Sequence, residues 1–463
     1  MGYMMINITE ALLHKYDVPV PRYTSYPPAT SFAPDFASAD YLEAVEASNT
    51  AQPQNISIYI HIPFCRQRCH FCGCNTVQYP LEDKIAEYVQ CVLSEIRMIA
   101  PHISPDRCVT QVSWGGGTPN SIRYEYIEAI MSTLREVFTF AEDAEIAIEC
   151  SPAYLDYPHV DELRRLGFNR ISLGIQDFHL DVLKAINRLP SMHPVQELLP
   201  YIKASGFSGV NIDLVYGLPL QTLASFGENV EQIIALRPDR LATFSYAHVP
   251  WFNANQKLLE RYPLPTGADK IEMLTQTVRQ MTEAGYNLIG MDHFALPDDD
   301  LSRALEAGDL HRNFQGYNTR RTAGQVYAFG ASGISQLDGA YAQNVKSSVL
   351  YVELVKSGRL PIERGYKLTD NERMIREAIN EIMCNGRLDF AELAERYGLG
   401  LEDFYRITQF DSGKLSAQMA DGLLTLSPKA IEVNPLGMLV VRPIAAAFDP
   451  AYTPASGQYS RTL

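Results

Sequence analysis

The feature that most constrains the fold is an alternation of two kinds of segment through the middle of the chain. Six apolar, β-rich runs are each followed by a stretch with helical spacing. The runs are NISIYIHIPF (55–64), TQVSWGGGT (110–118), EIAIEC (145–150), RISLGIQ (170–176), VNIDLVYG (210–217) and RLATFSYAHV (240–249). Such a repeat predicts a parallel sheet with right-handed crossovers. Because six units are fewer than the eight of a closed barrel, we predict an α/β fold, a partial (β/α)6 barrel that stays open.

The segments on either side of this repeat have other patterns. Residues 1–50 include VPVPRYTSYPPATSFAPDF, whose prolines discourage helix and predict an extended segment that covers the active site. Residues 51–365 make up the barrel and its extension. Residues 366–463 contain NERMIREAINEIMCNGRLDFAELAERYGL, two helical stretches joined by a turn. They predict a small, mostly helical C-terminal domain of the helix-turn-helix or winged type.

Charge and hydropathy narrow the functional class. The net charge of −15 argues against a broad surface for nucleic acid or for an anionic membrane. We find no apolar run of eighteen or more residues and no obvious secretory signal, so we expect no membrane span and a cytoplasmic protein.

Four cysteines lie close together in HIPFCRQRCHFCGCN (61–75), at Cys65, Cys69, Cys72 and Cys74. In a cytoplasmic chain, such a group indicates a metal or cluster site rather than disulfides. Thiolates suit both iron–sulfur clusters and zinc. Zinc is the weaker alternative, because it usually takes two ligand pairs separated by a longer loop, and no second pair follows. We therefore predict a cubane cluster on the first three cysteines.

Further polar and glycine-rich motifs occur at the ends of the predicted strands. After the cysteine loop come Gly115–Thr118, Glu149, Gln176, Asp213 and Tyr246–His248. Ligands of parallel α/β folds bind at the carboxyl ends of the strands. These motifs therefore predict a single site on one rim of the barrel.

A Cys-x3-Cys-x2-Cys loop after the first strand resembles the radical S-adenosylmethionine (SAM) superfamily. A narrower resemblance, to the oxygen-independent coproporphyrinogen III oxidase family, runs from about residue 10 to the C-terminal domain. It is carried by RYTSYPPATSF, YIHIPFCRQRCHFCGCN, SWGGGTP, IQDF, NIDLVYGLP, YAHVP, GMDHFALPDD and HRNFQGYNT. The resemblance implies a [4Fe-4S] cluster and two SAM molecules.

The resemblance also implies roles for individual residues. The cluster ligands are Cys65, Cys69 and Cys72. Positions that contact one or other SAM are Tyr59, Phe71, Gly116, Glu149, Gln176, Arg188, Asp213 and Ala247. Positions at or near the second SAM are Cys74, Gly117, Thr118 and Ile334. Tyr59 and Glu149 are the expected catalytic residues.

The implied reaction converts two propionates of coproporphyrinogen III into vinyl groups, giving protoporphyrinogen IX for haem synthesis. A 5′-deoxyadenosyl radical removes hydrogen from the propionate β-carbon, and CO2 and an electron then leave. The substrate's carboxylates call for cations, and the candidate substrate residues are Arg22, Tyr23, Arg312 and Arg320. A solvated loop is the alternative for Arg320. The electron donor and acceptor are not identifiable from the sequence, and the family suggests a monomer.

Two departures and three alternatives accompany this interpretation. Arg320 and Arg321 lie in a loop that differs from that of many relatives. Cys150–Pro152 follows Glu149 where the family more often has an acidic residue before the proline, which bears on substrate geometry. A haem-modifying radical SAM methyltransferase shares the barrel and cysteine pattern. A haem-binding chaperone resembles the barrel but characteristically lacks the fourth cysteine and the RYTSYP segment. A nucleic-acid role for the C-terminal domain is disfavoured by the net acidity and by the absence of a basic recognition helix.

Overall fold

A large mixed sheet organises the protein, and the computed structural model describes it over residues 9–319, 324–453, 459 and 461. The strands are β1 (Asn55–Ile62), β2 (Phe64–Cys65), β3 (Val77–Gln78), β4 (Cys108–Gly116), β5 (Thr139–Cys150), β6 (Arg170–Gln176), β7 (Gly209–Tyr216), β8 (Arg240–Ser245), β9 (Asn287–Gly290), β10 (His293–Ala295), β11 (Leu310–Asn313), β12 (Gly316–Thr319), β13 (Gln325–Phe329), β14 (Ile334–Gln336), β15 (Ala340–Asn344), β16 (Ile362–Lys367), β17 (Arg387–Asp389), β18 (Leu424–Leu426) and β19 (Ala430–Val433).

Twelve of these strands form one sheet, in the order β16-β15-β14-β13-β1-β4-β5-β6-β7-β8-β10-β9. The run from β13 through β8 is parallel, whereas both flanks are antiparallel. The six strands predicted from the repeat are β1, β4, β5, β6, β7 and β8, and the open α/β barrel is confirmed. Strand β13 adds a further parallel neighbour to β1 that the sequence pattern did not reveal.

Some helices pack on the large sheet and others form the C-terminal unit. They are α1 (Glu10–Tyr16), α2 (Ser38–Ser48), α3 (Glu82–Ile99), α4 (Tyr124–Val137), α5 (Tyr157–Arg165), α6 (Leu180–Ala185), α7 (Val195–Ala204), α8 (Leu223–Leu236), α9 (Gly267–Glu283), α10 (Asp300–Ala307), α11 (Ser348–Lys356), α12 (Asp370–Asn385), α13 (Phe390–Arg396), α14 (Leu401–Thr408), α15 (Ser416–Ala420), α16 (Pro435–Met438) and α17 (Val441–Ala445). In α3, Ile85, Val89, Val92 and Ile96 are fully buried at helical spacing.

The sixth predicted run is shorter as a strand than its apolar pattern suggests. Strand β8 ends at Ser245, and Tyr246–His248 follow as a loop. Lys270 donates a hydrogen bond of 2.6 Å to the carbonyl oxygen of Tyr246, so this peptide bonds to a helix side chain. The loop therefore leaves the sheet at the rim where the site was predicted.

The residues after β16 form a mostly helical unit around α12, with a small sheet in the order β17-β19-β18. This unit also holds an extended segment near the start of the chain, residues 17–28, which we call the N-terminal strap. The strap contributes Val20, Tyr23 and Tyr26 to the same buried apolar cluster as α12 and α17. Arg442 donates to the carbonyl oxygen of Pro21 at 3.1 Å.

No helix in the described part of the chain is both long and apolar enough to span a bilayer.

Candidate active site at the carboxyl ends of the parallel strands

A cavity of about 750 Å³ lies inside the open barrel. It collects most of the residues predicted for the site. The predicted residues that line it are Arg22, Tyr59, Cys65, Cys69, Phe71, Cys72, Cys74, Gly116, Gly117, Thr118, Glu149, Gln176, Arg188, Asp213 and Ala247. They come from the strap, the cysteine loop and the ends of six parallel strands, so distant parts of the sequence meet at one rim.

Four predicted residues are not placed on this cavity. Ile334 begins β14 and packs with a small apolar cluster around Phe32. Tyr23 and Arg312 line a second cavity of about 440 Å³ between the strap and α12. Arg320 lies outside the described residues. The sequence motifs identified the right segments, but side-chain direction depends on packing that only the folded chain supplies.

The cysteine loop is fastened by hydrogen bonds from its neighbours. On one side, the backbone N–H of His70 donates to the carbonyl oxygen of Ile186 at 2.9 Å. On the other side, Asn253 donates to the carbonyl oxygen of Cys72 at 2.7 Å, and Gln256 donates to that of Phe71 at 3.0 Å. These bonds satisfy backbone carbonyls that the irregular loop leaves without partners. These protein contacts therefore help to hold the loop in place.

The four thiols differ in their surroundings. The hydroxyl of Thr118 lies 3.5 Å from Sγ of Cys65, and Arg188 Nη1 lies 3.3 Å from Sγ of Cys69. The backbone N–H of Cys74 points at Sγ of Cys72 over 3.4 Å. Hydrogen bonding from Cys74 is the main cause that lowers the pKa of Cys72 to about 6. The short last gap thus makes Cys74 a hydrogen-bond donor to its neighbour.

This donor set fits a cluster better than a single metal ion. Among the described residues, no three His, Cys, Asp or Glu side chains converge on a point suited to one ion, as a zinc site requires. Cys65, Cys69 and Cys72 are free thiols on the wall of the same cavity. A cubane cluster spreads its ligands over separate corners, so it accepts such an arrangement.

Glycines let the end of β4 approach the cysteine loop. The N–H of Gly117 donates to the carbonyl oxygen of Ile62 at 2.7 Å. A Cβ on Gly117 would lie 2.7 Å from the backbone carbonyl of Pro63, and Gly116 has a φ of +115°. Only glycine tolerates both conditions at low cost. The close backbone contact therefore explains why glycines occur in the GGGT motif.

His61 lies near the carboxyl end of β1 and contacts Tyr59, although the sequence analysis did not single it out. Its Nδ1 lies 3.2 Å from the hydroxyl of Tyr59, and its Nε2 lies 3.1 Å from the carbonyl oxygen of Asn75. Burial lowers the pKa of His61 to about 4, so the ring is neutral near pH 7. The sequence contained a signal for this contact, since Tyr59 and His61 are two positions apart on β1 and therefore share a face of the strand.

Two acidic side chains, Glu149 on β5 and Asp213 on β7, line the cavity. Burial, followed by the charge of Asp213, raises the pKa of Glu149 to about 7. Asp213 accepts hydrogen bonds from Ser172 at 3.0 Å and from Asn211 at 2.7 Å, yet burial raises its pKa as well. A pair of this kind is suited to hydroxyl and ammonium groups of a ligand, which would offset the repulsion.

The floor of the cavity is closed by ion pairs that the sequence did not reveal. Arg170 begins β6 and donates to Glu145 at 2.8 Å, while Arg240 begins β8 and donates to Asp299 at 2.8 Å. The four side chains join the amino ends of β6 and β8 to β5 and α10. The opposite end of the barrel, at the carboxyl ends of the strands, is therefore the end where a ligand would bind.

Comparison with known proteins identifies the family. A family model described as the Radical SAM superfamily matches residues 59–233, and one described as the HemN C-terminal domain matches residues 368–440. An oxygen-independent coproporphyrinogen III oxidase from Synechocystis is 41% identical over 445 residues, 96% of this chain and 95% of that protein. The protein of the same name from Escherichia coli K12 is 40% identical over 450 residues, 97% of this chain and 96% of that protein.

A solved structure is similar over nearly the whole chain. It is described as coproporphyrinogen III oxidase (HemN) from Escherichia coli, a radical SAM enzyme. The similarity has a TM-score of 0.88 at 37% identity and covers 97% of this chain and 100% of that one.

Proposed function

This chain belongs to the oxygen-independent coproporphyrinogen III oxidase family of radical SAM enzymes, and from that premise we propose how its residues divide the work. The enzyme is an oxidoreductase of porphyrin synthesis that acts on coproporphyrinogen III with a [4Fe-4S] cluster and two SAM molecules. Relatives of this name match nearly the full length of the chain, so the methyltransferase and chaperone alternatives are not favoured.

Cys65, Cys69 and Cys72 hold the cluster in this proposal, and Cys74 supports Cys72. The observation that carries it is the meeting of the three thiols with Glu149, Asp213 and Arg188 in one cavity. When bound, the cluster and SAM supply the radical that removes a hydrogen atom from the substrate. The protein's part is to hold both ligands in place and to keep other hydrogen donors away.

The rim residues bind the charged and polar parts of SAM. Glu149 and Asp213 accept from ammonium or ribose hydroxyl groups. Gln176 and Arg188 bind a carboxylate. Further expected SAM positions are Tyr59, Phe71, Cys74, Gly116, Gly117, Thr118 and Ala247. Ile334 stays a prediction for the second SAM, although its side chain packs away from the cavity.

Tyr59 and Glu149 remain our candidates for direct contact with the reacting groups. Neutral His61 is the residue that orients the Tyr59 hydroxyl, from 3.2 Å away. Because the His61 ring is neutral, it adds no charge beside the cluster, and it still makes the hydrogen bond with Tyr59.

Arg22 is the strap residue that lines the cavity, and we propose that it pairs with a substrate carboxylate. Arg312 donates to the carbonyl oxygen of Arg22 at 2.9 Å, so it holds the backbone of Arg22 in position. Tyr23 holds the strap in place and stays a predicted substrate residue. Arg320 also stays a predicted substrate residue. Covering the mouth in this way excludes water from the radical.

We also propose three domains. Residues 1–50 are the segment that carries the strap, residues 51–365 are the barrel, and residues 366–463 are the helical unit that supports the strap. An external electron donor and acceptor, a monomeric state, and the absence of nucleic-acid and membrane partners are further parts of the proposal.

The test is an anaerobic turnover assay with reconstituted protein, reductant, SAM, coproporphyrinogen III and cell extract as the source of the acceptor. We expect the two-vinyl product, and we expect Cys65→Ala to abolish it while Cys108→Ala, a cysteine outside the loop, retains it. SAM cleavage by the unaltered enzyme with no change in the porphyrinogen would contradict the substrate assignment.

A further inference from the structure

Two large aromatic side chains are exposed beside the cysteine loop. Trp251 is 82% exposed and Phe252 is 78% exposed, far more than ordinary for their size. They follow β8 and immediately precede Asn253, whose amide is bonded to the backbone of Cys72. The aromatic pair is therefore carried by a segment that is fastened to the loop of the proposed cluster ligands.

Exposed basic side chains lie on the segments that adjoin this pair, although the chain as a whole carries a net charge of −15. Arg68 is exposed on the cysteine loop itself, and Lys257 and Arg261 are exposed on the 3-10 helix Ala254–Arg261. The acidic Glu260 on the same helix is bonded to His248 Nε2 at 3.2 Å.

We propose that this surface, the donor face (Arg68, Trp251, Phe252, Lys257 and Arg261), docks an acidic one-electron carrier protein. The inference rests on the proposed cluster ligands. The cluster must receive electrons from outside the protein, and the cysteine loop is bonded through Asn253 to the segment that carries Trp251 and Phe252. Each transfer takes one electron from the reduced flavin or iron–sulfur group of the carrier and adds one to the cluster.

The composition of the donor face suits a transient protein contact. Exposed aromatic residues supply the contact energy of such interfaces, and complementary charge at the edge raises the association rate. A negatively charged protein surface would otherwise repel an acidic carrier. A local positive region therefore directs the carrier to the one place where electron transfer is useful.

A role in covering the substrate is the competing explanation, because Phe252, unlike Trp251, also lines the cavity. The two explanations differ in their dependence on the reductant. A docking surface is needed only when a protein delivers the electrons, whereas a cover over the substrate is needed with any reductant.

The experiment measures binding of the reconstituted enzyme to flavodoxin, an acidic flavin carrier used as the probe, by biolayer interferometry at several salt concentrations. The test variants are K257E/R261E and Trp251→Ser. The matched control is R279E/R359E, which makes the same charge change at two other exposed arginines. SAM cleavage is measured in parallel with flavodoxin and with dithionite.

We expect K257E/R261E to weaken binding at least tenfold and to flatten its salt dependence, while the control stays within twofold of the unaltered enzyme. Trp251→Ser should weaken binding severalfold. With dithionite, all variants should cleave SAM at the unaltered rate.

Equal binding by K257E/R261E and the control, or no saturable binding by the unaltered enzyme, would overturn the proposal. A matching loss of SAM cleavage with dithionite would assign the donor face to the substrate site instead. Failure of the cluster assignment would show separately, as Cys65→Ala protein that retains its iron.

Discussion

The hydroxyl of Tyr23 lies 3.0 Å from the carboxylate of Asp449, a residue 426 positions further along the chain. Both side chains are buried, at 5% and 4% exposure. Asp449 also accepts from the N–H of Ala451 at 2.8 Å. This contact fixes the N-terminal strap to the helical unit next to the cavity that Arg22 lines.

Replacing Tyr23 by phenylalanine should loosen the strap. The change removes one donor from a buried carboxylate, which costs about 1–3 kcal/mol of folding free energy. We expect a lower melting temperature and more SAM cleaved per vinyl group formed. Tyr201→Phe is the control, because its hydroxyl bonds to Asp161 at an exposed site. An unchanged ratio of SAM cleaved to product would show that the strap does not close the site.

Replacing Gly117 by alanine should separate β4 from the cysteine loop. The added Cβ would lie 2.7 Å from the backbone of Pro63, which cannot rotate away. We expect loss of reconstituted cluster, measured as iron and sulfide per chain, with about 1–3 kcal/mol lost from stability. Gly267→Ala is the matched control, since no atom lies within 4 Å of its added Cβ. Full cluster content in Gly117→Ala would refute the close-contact argument.

Replacing Arg188 by leucine should weaken the hold on the cluster. Its Nη1 lies 3.3 Å from Sγ of Cys69, and its charge favours the thiolate of that cysteine against the effect of burial. We expect iron to leave the protein severalfold faster in the presence of a chelator. Arg188→Lys should recover part of the loss, because it retains the charge without the planar fork. Equal iron release from both variants would mean that the charge is not what matters.

A buried carboxylate on α3 predicts a pH dependence of stability. Glu95 is 3% exposed and accepts from Asn344 at 2.6 Å, the N–H of Gly330 at 2.9 Å and Tyr351 at 2.5 Å. Burial raises its pKa from 4.5 to about 7. Between these values the folded state binds more protons than the unfolded state, so raising the pH lowers stability.

We therefore expect the apo protein to lose stability from about pH 4.5 to pH 7 through this group, by roughly 3 kcal/mol. In Glu95→Gln, this part of the slope should disappear in urea unfolding measured across that range. Exposed Glu353→Gln serves as the control. A variant slope equal to that of the unaltered protein would show that Glu95 keeps its ordinary pKa.

Local sequence was enough to predict the repeating part of the fold. Strands such as β6 and the helices between them have clear periodicity, and each carries its rim residue at a fixed place. The cysteine loop could likewise be recognised from the sequence, because its cysteines lie within a few residues of one another. These features depend on contacts that are close in sequence.

Features that depend on distant contacts were not predictable in the same way. Strand β13 pairs with β1 across about 270 positions, and its five residues carry too little pattern to indicate a partner. The contact between Tyr23 and Asp449 was not predictable either, because the two residues are 426 positions apart. The ion pairs of Arg170 and Arg240 were missed because their acidic partners come from other elements.

The strap has a consequence for the order in which the protein is made. Asp449 and Arg442, which bond to it, are translated after the whole barrel, even though the strap itself emerges first. The nascent barrel is therefore complete while its mouth still lacks its fastening. We therefore expect the cavity to stay accessible to a cofactor until the C-terminal unit has been made and can fasten the strap.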